Sequence, residues 1–100
     1  YDNVINSGGV KVHPEQIESK LSEILHQSFF VSSLPDPKLG EQVVLILEGV
    51  VDKEKVMQQI ISSKKLNKYE LPRSIKIIPE FLRTNSGKVK RTETLTLLNS

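Results

Sequence analysis

Near the C-terminus, Thr84-Asn85-Ser86-Gly87-Lys88-Val89 sets one lysine among small and turn-forming residues. Glycine permits a positive φ there, and serine and asparagine can satisfy a bent backbone locally. Such a loop can carry an ammonium point charge to a phosphate or carboxylate lying outside the domain. Read alone, it is first of all a solvated hairpin tip. The other candidates are sparse. His13 and His26 stand apart in sequence with no cysteine and no paired carboxylate at ligand spacing, so no metal site is expected. His13 reads as a helix-start residue, and His26 as a cation at a helix end. No Gly-x-Ser-x-Gly elbow is present, and Ser7-Gly8-Gly9 is too short for a phosphate loop, with Lys11 lacking the Gly-Lys-Ser/Thr ending. By itself the chain lacks the parts of a complete active site. Three features remain to be explained together: Asp2, a glycine hairpin followed by Lys11, and the Gly87-Lys88 loop.

These groups need a scaffold, and 100 residues can supply one modest core. Hydrophobic content of 37% and charged content of 26% fit a soluble globular domain. A net charge of +2 and 5% aromatic residues argue against a nucleic-acid binder. Cysteine is absent, so disulfide and thiolate chemistry are excluded. The longest apolar run, Val43-Val44-Leu45-Ile46-Leu47, is far too short to span a bilayer. No signal-peptide pattern opens the chain, and a cytoplasmic setting is the default expectation. Tyr1 is not a methionine, and the chain reads as a piece cut from a longer protein.

Asp2–Ile5 and Val10–Val12 are β-favouring pieces around Asn6-Ser7-Gly8-Gly9, which predicts a hairpin. His13-Pro14-Glu15 opens a helix whose apolar face is Ile17, Leu21, Ile24 and Leu25. Phe29–Ser33 predicts a short strand, followed by a turn at Pro35-Asp36-Pro37. Gln42–Glu48 is nearly continuous in apolar residues and predicts a buried central strand. Asp52 is a good N-cap for a second helix carrying Val56, Ile60 and Ile61, which Ser62-Ser63 begins to unwind. Ser74–Ile78 predicts a further strand, and Thr92–Leu98 a weak terminal helix docked through Leu95 and Leu98. The expected class is α+β, with a sheet of about three strands covered by helices and an N-terminal β-hairpin.

In order and spacing, these features resemble the C-terminal domain of the adenylate-forming superfamily of acyl-CoA synthetases, peptide-synthetase adenylation domains and luciferases. The resemblance covers residues 1–100. It is carried by the run from Tyr1-Asp2-Asn3 through Gly8-Gly9-Val10-Lys11 to Glu18, by Pro35-Asp36-Pro37-Lys38-Leu39-Gly40-Glu41, by Leu71-Pro72-Arg73, and by Arg83 to Arg91. It implies that Asp2 is the hinge about which a mobile domain rotates between two half-reactions. Lys88 would be the adenylation lysine, bridging an acyl carboxylate and the ATP α-phosphate. Gly8 and Gly9 would face the pantetheine arm of CoA, with Lys11 near a CoA phosphate or simply solvated. ATP and Mg2+ would be held mainly by the chain's own N-terminal domain, and CoA would be the co-substrate. Among the branches of the superfamily, the opening segment and short loops look most like o-succinylbenzoate–CoA ligases of menaquinone synthesis. Other aryl- or fatty-acyl-CoA ligases and peptide-synthetase adenylation domains are the alternatives. The 100-residue piece by itself is expected to be catalytically silent. Two departures stand out: Leu82 where proline usually precedes the Arg-Thr pair, and Thr94 where an apolar residue is expected. The competing non-enzyme reading is a free-standing anion-binding module using Lys11, Lys64, Lys65, Lys88, Lys90 and Arg91.

Overall fold

The computed structural model describes residues 4–99. Its centre is β4 (Gly40–Glu48), where Val43 to Leu47 are all buried. Side chains alternate across a strand, so an unbroken apolar run can serve a sheet covered on both faces. Val43, Leu45 and Leu47 point into a core shared with α1 (Pro14–Leu21) and α2 (Lys53–Ser63). Val44 and Ile46 point the other way, onto Phe30, Ile78 and Phe81, with Leu95 and Leu98 closing over them.

β3 (Phe29–Asp36) lies antiparallel to β4 along its whole length, from Phe29 opposite Leu47 to Asp36 opposite Gly40. β5 (Ser74–Ile78) runs parallel to the second half of β4, after the crossover through α2. The hairpin of β1 (Ile5–Ser7) and β2 (Val10–Val12) joins the first half of β4, with Ser7 opposite Gly40. The α+β class holds, and among the described residues the hairpin adds its strands to the expected ones to make a single five-stranded sheet.

Several boundaries shift for identifiable reasons. The first turn is the pair Gly8-Gly9, with φ of 61° and 84°, so Asn6 and Ser7 remain in β1. Pro35 and Asp36 belong to β3 and the turn falls after them; a proline is tolerated because β3 is an edge strand. α1 ends at Leu21, and Ile24 and Leu25 reach the core from the turns that follow, both amides bonding the Leu21 carbonyl. His26 therefore lies beyond the helix rather than at its end. α2 has the expected cap, Asp52 accepting from the amides of Glu54 and Lys55, and Lys64 closes the helix with φ of 57°. Ser62 and Ser63 stay helical, and Ile61, expected on the apolar face, is exposed, because one residue past the buried Ile60 the helix has turned about 100° toward solvent. The terminal helix α3 spans Arg91–Thr96 and tightens into a short 3-10 turn at Leu97–Asn99.

Candidate functional site

Lys88 sits on an exposed loop closed by its own backbone. The Thr84 amide donates to the Lys88 carbonyl at 2.8 Å, and the Gly87 amide to the Thr84 carbonyl at 2.9 Å. Thr84 Oγ1 accepts from the Lys88 amide at 3.1 Å and lies 3.0 Å from Ser86 Oγ. Gly87 has φ of 88°, which a side chain would strain, and Arg83 pairs with Val89 across the stem. The threonine and glycine of this segment thus have a conformational job. Lys88 borders an open hollow of about 500 Å³ together with Glu15, Arg91 and Glu93. Two carboxylates offset the two cations, of which Arg91 is already bonded to Glu18, so the hollow is a poor trap for a free polyanion.

Both stems of the loop are tied to the body of the domain. Arg83 forks onto Glu48 at the end of β4, each nitrogen 2.6 Å from one carboxylate oxygen. Glu48 also accepts from the Phe81 amide at 2.7 Å. Arg83, and then that amide, hold the carboxyl at about 2, far below its ordinary 4.5, and Glu48 in turn raises the Arg83 guanidinium. On the other stem, Arg91 forks onto Glu18 of α1 at 3.0 Å for each bond, and Glu18 also accepts the Val31 amide at 2.8 Å. The guanidinium carbons of Arg83 and Arg91 lie 5.8 Å and 5.7 Å from the ring centres of Phe81 and Phe30. Those two rings meet edge to face at 5.3 Å. Sequence reasoning placed Glu18 only as an acidic residue near the start of its helix and named no partner for Glu18, Glu48, Arg83, Phe30 or Phe81. Nothing in their local pattern marks them as partners.

The glycine hairpin is fixed by the Asp36–Glu41 segment. Asp36 accepts from the amides of Leu39 and Lys38, which lower its carboxyl below the usual range. Glu41 accepts the Asn6 amide at 2.9 Å and the Ser33 hydroxyl at 3.0 Å, and the Gly8 amide donates to the Leu39 carbonyl. A Cβ on Gly8 would come within 3.1 Å of Leu39 Cδ2, whereas one on Gly9 would point into open space. Gly8 borders a hollow of about 400 Å³ with Leu39, Lys68, Tyr69 and Arg73, residues not singled out in the sequence for this purpose. Lys11 is exposed and borders a separate, smaller hollow with His13 and Glu70. The hairpin and the Lys88 loop thus face different hollows. Asp2, the hinge candidate, lies outside the described residues. Of the six cations of the anion-binding reading, Lys65 is bonded to Glu23 and Arg91 to Glu18.

The two departures from the expected pattern meet in space. The Leu82 amide donates to Thr94 Oγ1 at 3.1 Å, and Thr94 is fully buried. A proline at 82 has no amide hydrogen to satisfy; leucine has one, and a buried threonine hydroxyl accepts it.

No protein-family model matches the chain. It is 33% identical over 94 residues to the 2-succinylbenzoate–CoA ligase of Lactococcus lactis, aligning 91% of this chain with 20% of that protein. It is 39% identical over 101 residues to a mitochondrial acyl-coenzyme A synthetase of the rat, covering 92% of this chain and 17% of the relative. Among solved structures, an acyl-CoA synthetase (AMP-forming)/AMP-acid ligase II-like protein from Dyadobacter fermentans superimposes with a TM-score of 0.84 at 30% identity, over 97% of this chain and 29% of that one. The fold is that of acyl-CoA synthetase C-terminal domains. Relatives and structural neighbours alike are acyl-CoA synthetases and AMP-binding ligases. The chain spans about a fifth of the length of the curated relatives it matches. Among the described residues, no helix is long and apolar enough to cross a membrane, and no three His, Cys, Asp or Glu residues are placed to hold a metal ion.

Proposed function

We propose that this chain is the mobile C-terminal domain of an ATP-dependent acid–CoA ligase, and that Lys88 is the group it delivers. In the first half-reaction a carboxylate oxygen attacks the ATP α-phosphorus and pyrophosphate leaves. Two anions approach one another, so a positioned ammonium stabilises the developing charge. In the second, the CoA thiol attacks the acyl carbon and AMP leaves. Asp2 is assigned as the hinge between the two arrangements, and the Gly8-Gly9 tip, with Lys11 behind it, as the surface that meets CoA. ATP and Mg2+ are assigned to the N-terminal partner domain, since the described residues offer no cluster of ligands for the ion. The observation that carries the reading is Lys88 itself, exposed on a self-closed loop with its stems anchored, in a fold shared with CoA ligases.

For the acid, we infer o-succinylbenzoate, because a 2-succinylbenzoate–CoA ligase stands among the closely similar relatives. Fatty acids are the second reading, supported by relatives named as medium- and long-chain fatty-acid ligases. In the complete ligase, Lys88→Ala is expected to lose ATP–pyrophosphate exchange while still forming thioester from a supplied acyl-adenylate. Exchange at the wild-type rate would remove Lys88 from the mechanism. A panel of aryl and fatty acids, compared by kcat/KM, decides the acid.

A further inference from the structure

We propose that the continuous stack Glu48–Arg83–Phe81–Phe30–Arg91–Glu18 is a clamp that aims Lys88, its members acting as positioning residues for adenylation. The inference rests on the reading of Lys88 given above.

Residues 84–88 are all exposed, and the hydrogen bonds described within the loop run between its own members. Those bonds fix the shape of the loop but not its direction relative to the sheet. Direction must come from the stems, and each stem carries one arginine. A guanidinium forked onto a carboxylate constrains angle as well as distance, which a single-point ammonium contact does not. Glu48 belongs to the central strand and is itself held by the Phe81 amide. Glu18 belongs to α1 and is held by the Val31 amide on β3. Each carboxylate thus has a backbone amide as a second partner besides its arginine.

The rings complete the device. Arg83 lies over Phe81, Phe81 meets Phe30 edge to face, and Phe30 lies under Arg91. Phe30 and Phe81 are buried with Val44, Ile46 and Ile78, so both stems register against one core layer. Stability alone does not call for both ion pairs to flank the same loop. Two forks joined through stacked rings on either side of one loop are better explained by orientation. A displacement of about 1 Å at a reacting group can cost about a hundredfold in rate.

Arg83→Lys and Arg91→Lys test this, since each keeps the charge and loses the fork. In this chain, 15N relaxation is expected to show the order parameters of Ser86, Gly87 and Lys88 falling from about 0.85 toward 0.6, with those of Leu45 and Ile46 unmoved. Unchanged loop order in both variants overturns the clamp. Should either variant fail to fold, Phe81→Leu breaks the stack and keeps both forks; lower loop order then supports the clamp, and unchanged order overturns it. In the complete ligase, Arg83→Lys is expected to lower kcat for pyrophosphate exchange about tenfold. KM for ATP and the thioester half-reaction should stay within twofold. Adding Arg83→Lys to Lys88→Ala should slow the residual exchange no further, whereas multiplied losses would mean a general structural role and refute the positioning. If Lys88→Ala alone exchanges at the wild-type rate, the catalytic reading fails, and the loop-order measurement still decides the clamp.

Discussion

Replacing Glu48 by glutamine should remove one part of the stability that the domain loses as pH falls below 4.5. At neutral pH the Glu48 carboxylate accepts two guanidinium bonds at 2.6 Å and one amide bond at 2.7 Å. These hold its pKa at about 2 against an ordinary 4.5, which corresponds to at most about 3 kcal/mol by linkage. The side chains of Arg83 and Glu48 are 32% and 19% exposed, so water screens part of that, leaving about 1–2 kcal/mol. The folded-state value lies below the unfolded one. The contribution is therefore complete above pH 4.5 and is lost as pH falls toward 2. Glutamine keeps the shape and cannot ionise. Urea denaturation of both proteins at stepped pH should show Glu48→Gln less stable by about 1–2 kcal/mol at pH 7, or roughly 4–8 °C in Tm per kcal/mol. The gap should narrow steadily below pH 4.5. Parallel stability curves down to pH 2.5 would show that the Arg83 fork is not linked to folding and refute the reasoning.

Three further outcomes follow from the same structure. Thr94→Val should cost about 1–3 kcal/mol by stranding the Leu82 amide, and Leu82→Pro in that background should recover part of the loss in a double-mutant cycle. Additive losses would break the coupling. Asp52→Ala should destabilise the domain by about 1 kcal/mol through loss of the α2 cap, read as a lower urea midpoint at unchanged slope. Gly8→Ala should destabilise more than Gly9→Ala, because its Cβ meets Leu39 while both share a positive φ. Equal urea midpoints for the two would show that the Leu39 contact carries no cost.

The candidate site was only half legible in the chain. The Lys88 loop is defined by neighbours in sequence: Thr84 caps it, Gly87 takes the positive φ, and both can be read from residue type. Its anchors cannot be read that way. Arg83 and Glu48 are 35 positions apart, and Arg91 and Glu18 are 73 apart. One glutamate among many carries no local sign of such a partner. The Asp36–Glu41 segment was legible as a motif, yet its work, bonding the hairpin through Glu41 and Asn6, becomes visible only once β1 lies beside β4.

What sequence alone determined is whatever depends on short-range sterics and periodicity: the buried strand at Val43–Leu47, the Asp52 cap, the Gly8-Gly9 turn and the self-closing Lys88 loop. Tertiary structure decided what those elements join. It merged the hairpin into a five-stranded sheet, divided the β4 side chains between two cores, and matched Leu82 with Thr94. It also brought two distant carboxylates to the stems of one loop. The reason is physical: a fork or a ring stack has direction only when both partners are held, and the whole sheet holds them.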